Sequence, residues 1–302
     1  MKTQVSVQIG TILLALVLPC AAQPPLSVVV SILPQAEIAR EVGGDKVKVE
    51  VLIPPGASPT TYEASPRQLV SVIQSDLLIP VGVPFESKVV QRIRDLAPAL
   101  TICDQAVPDD RMEWRSSGSE DPHLHESTHP AHHHDSGLDP HFWLDPERAS
   151  RHAEAVTNCL CAEAPDHCPS FRSGLASYRS RLEEIDHAIA ERLAPFAGRT
   201  LLVFHPAYGY FAERYGLKQV AIEHNGKEPS ARHLAHVIDE AHDLHTPVIF
   251  VQPQFAGSGP RAVADAIGAK IVSVDPLAPN LAENLVRISE AIVEAFASEE
   301  RP

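Results

Sequence analysis

Short apolar runs alternate with amphipathic stretches through the first third of the chain. "LSVVVSI" (26–32), "VKVEVLI" (47–53), "DLLIPVG" (76–82) and "ALTIC" (99–103) are strand-like, while "PQAEIAREVGG", "SPRQLVSVIQS" and "PFESKVVQRIRDLA" between them carry helical spacing. Alternation of this kind predicts a mostly parallel sheet with helices on both faces. The pattern stops near Asp104, where a polar, Pro- and His-rich stretch without apolar periodicity runs to about Asp139, which predicts a long loop. Helical character resumes at Pro146. From Phe171 through Leu175, Tyr178, Leu182, Ile185 and Ile189 to Leu193 the apolar positions step by three or four, predicting one helix of about seven turns with a single buried stripe.

The second half repeats this grammar. Strand-like "RTLLVF" (199–204), "KQVAIE" (218–223), "TPVIFVQ" (246–252) and "AKIVSV" (269–274) alternate with helical "AYGYFAERYG", "EPSARHLAHVIDEAHDLH", "GPRAVADAIG" and "NLAENLVRISEAIVEAF". The reading is an α/β protein of two lobes, each a mostly parallel sheet with helices on both faces, joined by one long rigid helix. The first lobe is assigned to 25–168, with a His-rich loop at about 115–138; the linker helix is assigned to 169–195 and the second lobe to 197–302.

Ahead of these lobes, "MKTQVSVQIGTILLALVLPCAAQPP" has a lysine at position 2, an apolar run from Ile9 to Leu18 and small residues before Gln23. That is the pattern of a secretory signal peptide over 1–22, because the apolar run is shorter than the roughly 20 residues that span a bilayer. Cleavage after Ala22 and release into the periplasm fit better than lipid attachment to Cys20, which follows Pro19. Export changes the meaning of the cysteines: Cys103, Cys159, Cys161 and Cys168 become disulfide candidates. Either Cys159 or Cys161 is close enough in sequence to close a small loop with Cys168. The chain's 302 residues carry a formal net charge of −14 and no dense Lys/Arg stripe. This argues against nucleic acid as a partner and favours cations.

Ligands of open parallel sheets bind just beyond the carboxyl ends of strands. His205 directly follows "LLVF", Asp275 directly follows "IVSV", and His141 lies where the His-rich stretch rejoins the fold in "DPHFWLDP". A lone histidine reads as a hydrogen-bonded core residue, but two imidazoles and a carboxylate converging on one cleft form a donor set for zinc, with manganese the less favoured ion. His123, His125, His129, His132, His133 and His134 read as a separate metal-collecting segment. His224, His233, His236, His242 and His245 read as solvated.

The motifs "PPGASPTTYEASPRQL", "DPHFWLDP", "FHPAYGYFAERYGL", "EPSARHLAHVIDEA" and "VDPLA", in this order and spacing, resemble the solute-binding proteins of ABC transporters for zinc and manganese, the ZnuA-like cluster A-I. The resemblance covers nearly the whole chain after the signal sequence. It implies two lobes bridged by a rigid helix, with one metal held between them by three histidines and a fourth, usually acidic, ligand. His141, His205 and Asp275 match the second, third and fourth of these positions. At the first, this chain has Thr60 where the family carries histidine, and a hydroxyl is a poor zinc ligand. Water, a histidine of the His-rich segment, or Glu63 would have to complete the set.

The implied function is capture of Zn2+ and its delivery, by a monomer, to the membrane permease of an ABC importer. Manganese or iron capture within the same family, or a periplasmic zinc buffer, are the alternatives. An enzyme is not expected, because the chain lacks G-x-S-x-G and any nucleophilic cysteine context.

Overall fold

A computed structural model describes residues 24–113, 138–223, 238, 248–255 and 257–299. The expected signal peptide, the His-rich segment and the helix expected around "EPSARHLAHVIDEAHDLH" therefore lie outside the described residues, apart from Ile238.

In the first lobe, β1 (Leu26–Val30), β2 (Val47–Val51), β3 (Leu77–Ile79) and β4 (Thr101–Ile102) form a parallel sheet in the order β2-β1-β3-β4. The interior strand β3 is buried along its whole length, as a strand covered on both faces must be. The edge strand β2 alternates half-buried with exposed positions. The helices α1 (Leu33–Gly43), α2 (Pro66–Ile73) and α3 (Glu86–Leu96) make the crossovers. Ser65 starts α2 through a capping box: its side chain accepts from Gln68 N and the Gln68 side chain accepts from Ser65 N, with Pro66 next in line.

The second sheet uses the same plan. β5 (Thr200–Val203), β6 (Lys218–Ala221), β7 (Val248–Val251) and β8 (Lys270–Ser273) are parallel in the order β6-β5-β7-β8. Between these sheets run α4 (Pro146–Glu163) and α5 (Cys168–Leu193), the latter a single helix of 26 residues, about 39 Å at 1.5 Å per residue. Its buried positions are Phe171, Leu175, Tyr178, Leu182, Ile189 and Leu193, the stripe read from the sequence with Ile185 only half-buried. Gly174 interrupts this helix at a helix-propensity cost of roughly 1 kcal/mol. A Cβ there would stand 2.6 Å from Val42 O and 2.8 Å from Glu41 O, so the glycine is what lets α5 lie directly on the end of α1.

After the short helices α6 (Gly209–Arg214) and α7 (Ser258–Ile267), the chain ends in α8 (Leu281–Glu299). The sequence pattern assigned this helix to the second lobe. Its apolar face, including Leu281, Leu285, Ile288, Ile292 and Phe296, is buried, and the helix packs on α5 and touches α1. Ala282 N donates to Glu37 Oε1 of α1 at 3.4 Å, and Arg192 of α5 donates to Ser289 Oγ at 2.6 Å. The last helix thus packs across α1 and α5 together.

Two disulfides fix the cysteine pairing that spacing left open. Cys103, just after β4, is bonded to Cys159 of α4, and Cys161 is bonded to Cys168 at the start of α5.

Candidate metal centre

"DPHFWLDP" folds so that each of its aspartates anchors the residues immediately downstream of it. Asp139 Oδ1 accepts from His141 N at 2.9 Å and sits 2.7 Å from His141 Nδ1. Asp145 caps α4 by accepting from Glu147 N at 2.8 Å, with Pro146 in the first helical turn. Phe142, Trp143 and Leu144 between them are buried, and Trp143 Nε1 donates to Pro276 O at 2.9 Å. His141 is therefore fixed by a carboxylate behind it and by core residues ahead of it, although the backbone before residue 138 leaves the described region.

His205 lies just past the carboxyl end of β5, which runs between β6 and β7. Val203 pairs with Ala221 of β6 and with Phe250 of β7, so two residues further on, His205 stands between Glu223 and Gln252. Both side chains engage it: Glu223 Oε2 is 2.8 Å from His205 Nδ1, and Gln252 Nε2 donates to His205 O at 3.0 Å. Phe255 stacks on its ring at 5.0 Å. Burial pushes the imidazolium pKa of His205 down, against the raising influence of Glu223, with His141 adding to the depression. The ring is accordingly held in the neutral form that binds metal.

The two histidines come from opposite sides of the cleft and meet with ring centroids 5.3 Å apart. Each directs Nδ1 at a buried carboxylate, Asp139 at 4% exposure and Glu223 at 1%. A proton on Nδ1 shared with a carboxylate leaves Nε2 as the basic nitrogen, the arrangement that orients a histidine for a metal. Both rings line one cavity, together with Pro140, Gln252 and Phe255. Thr60 also lines it, its hydroxyl 2.6 Å from that of Ser58.

Asp275 approaches differently. It lines an adjoining cavity with Ile53 and Gly56, and Leu277 is common to both cavities. Its Oδ1 accepts from Gln254 Nε2 and from Leu277 N, each at 3.0 Å. Among the described residues, no group of three or more His, Cys, Asp or Glu side chains is gathered to hold an ion. His141 and His205 share one cavity, and Asp275 lines the adjoining one. Glu63 is exposed and lines neither cavity.

Sequence reasoning missed Asp139, Glu223 and Gln252. Asp139 was visible two positions before His141. The rule that found His205 at a strand end also reaches Glu223 and Gln252 on the neighbouring strands.

Over residues 28–298 the chain matches the family described as zinc-uptake complex component A, periplasmic (ZnuA). The chain belongs to this family. Its members bind a metal and are not enzymes. Among curated relatives, the zinc-binding lipoprotein AdcA of Streptococcus pneumoniae (strain ATCC BAA-255 / R6) is 29% identical over 258 residues, 85% of this chain and 51% of AdcA. The high-affinity zinc uptake system protein ZnuA of Yersinia pestis is 27% identical over 264 residues, 83% of each. The chain spans about half the length of the AdcA relatives and nearly all of a ZnuA crystal structure, which it matches with a TM-score of 0.79 at 30% identity, covering 90% of this chain and 99% of that one.

Proposed function

We propose that this chain is an exported solute-binding protein that takes up one Zn2+ between its two lobes and hands it to the membrane permease of an ABC-type importer. The observation that carries the reading is the meeting of His141 and His205 across the cleft, each backed by a buried carboxylate. Imidazole nitrogen from both sides makes the ion itself the bridge between the lobes. Asp275 is assigned the third ligand position, from the wall of the adjoining cavity where Gln254 and Leu277 hold its Oδ1. The donor set leans to zinc, since manganese and iron sites are richer in oxygen donors.

In this reading residues 1–22 direct export and are removed, the protein acts in the periplasm as a monomer, and the histidines between His123 and His134 collect metal at low affinity. No helix among the described residues is long and apolar enough to cross a membrane. Calorimetric zinc titration of His141→Ala and His205→Ala tests the cleft directly. Each variant is expected to lose tight binding; wild-type affinity in either removes that residue from the site.

A further inference from the structure

Six buried side-chain atoms have no hydrogen-bond partner among the described residues: Ser31 Oγ, Glu37 Oε2, Tyr178 Oη, Arg181 Nε, Glu223 Oε1 and Gln252 Oε1. Of these six residues only Gln252 lines the cavity shared by His141 and His205. Gln252 is 1% exposed, and an acceptor that deep is ordinarily paired. Its other amide atom is paired: Nε2 donates to His205 O at 3.0 Å. Exchanging the two ends of the amide would set Oε1 against a carbonyl oxygen, so the hydrogen bond fixes which end is the acceptor. Glu223, the second unpaired acceptor near His205, lies on the opposite neighbouring strand and does not line the cavity.

We infer that Gln252 Oε1 is an oxygen ligand of the bound cation, filling the coordination position for which Thr60 offers only a hydroxyl already bonded to Ser58. The inference rests on the cleft reading above and adds a donor to it. Gln252 shares the lining of that cavity with both imidazoles, so its amide stands on the wall that an ion held by them would face. The tether to His205 O makes the donor part of the same rigid strand end as the imidazole, so ordering it on binding costs little conformational entropy. An amide oxygen is neutral and harder than an imidazole nitrogen, and oxygen donors suit manganese better than a further nitrogen would. Gln252 therefore sets both the affinity and how sharply the site separates zinc from manganese.

The test uses the full chain. A crystal structure with zinc bound should place Gln252 Oε1 within ~2.2 Å of the ion, the usual zinc–oxygen range. Competitive zinc titration should show Gln252→Leu binding roughly 10- to 100-fold more weakly than wild type, with His205→Ala losing tight binding. A Gln252 Oε1 more than ~3 Å from zinc, outside that coordination range, overturns the assignment whatever the variant does. Unchanged affinity in Gln252→Leu beside lost affinity in His205→Ala overturns it too, while leaving the cleft reading intact. Wild-type affinity in His205→Ala overturns the cleft reading itself and this inference with it.

Discussion

Trp143 Nε1 donates to Pro276 O at 2.9 Å, and this bond ties the segment that carries His141 to the segment that carries Asp275. The indole is buried and its ring centroid lies 5.2 Å from that of His141. Trp143→Phe keeps much of the packing but leaves Pro276 O without that donor, a loss of roughly 1 to 3 kcal/mol. Denaturant unfolding of the metal-free protein should register a loss of that size. A variant as stable as wild type would mean the hydrogen bond contributes nothing.

Asp139 and Glu223 are predicted to set zinc affinity without touching the ion. Asp139→Asn and Glu223→Gln preserve shape but weaken the hold on each Nδ1 and lower the basicity of the ligating nitrogens. Each should weaken zinc binding by roughly 10- to 100-fold with little change in unfolding midpoint, as competition against a chelator would show. Equal affinity in both variants and wild type would contradict the role assigned to these carboxylates.

His152 makes the fold acid-sensitive at a place outside the cleft. It is fully buried in α4, with Nδ1 2.7 Å from Ala106 O and Nε2 3.3 Å from Gln35 Nε2, a set that satisfies the neutral ring and leaves no acceptor for a second proton. Burial pushes its pKa down to about 4. The unfolded chain then binds a proton more readily than the folded one between about 4 and the ordinary value near 6.5. Stability is complete above that upper limit and falls as pH drops through the window, by about 3 kcal/mol in all. Urea titrations from pH 7 to 4 should show a steeper loss for wild type than for His152→Gln. Parallel curves would rule out this contribution.

The two disulfides close loops of very different length, 56 residues apart for Cys103–Cys159 and 7 for Cys161–Cys168. Loop-closure entropy assigns about 4 kcal/mol to the first and about 2.5 kcal/mol to the second. The double variant Cys103→Ala/Cys159→Ala should therefore lower the melting temperature more than Cys161→Ala/Cys168→Ala. The reverse order would show that strain or residual structure outweighs chain entropy here.

Much of this architecture was legible because the chain punctuates itself clearly. The apolar run "DLLIPVG" read as a strand and the stripe from Phe171 to Leu193 as one long helix, and the structure has β3 and α5 there. His205 was legible from its position just past a strand, and His141 from the point where the His-rich stretch rejoins the fold. The role of α8 was not, since an amphipathic helix does not name the surface it will cover. The cysteine pairing was hidden because Cys159 and Cys161 sit two apart on one helix and point to different neighbours, which only the packing of α4 against α5 and the turn after β4 resolves. Gln252 was overlooked because an amide at a strand end carries no signal until its carbonyl is found buried and unpaired beside His205.

The central claim is that one tight zinc site is formed by the cleft and not by the His-rich segment. It is tested most directly by competitive titration of the metal-stripped protein with Zn2+ and Mn2+, on the full chain and on a chain lacking residues 120–136. The account predicts a single tight zinc site in both, with weaker manganese binding and only low-affinity zinc equivalents lost on deletion. Loss of the tight site with the deletion would contradict it and transfer the essential ligand to that segment.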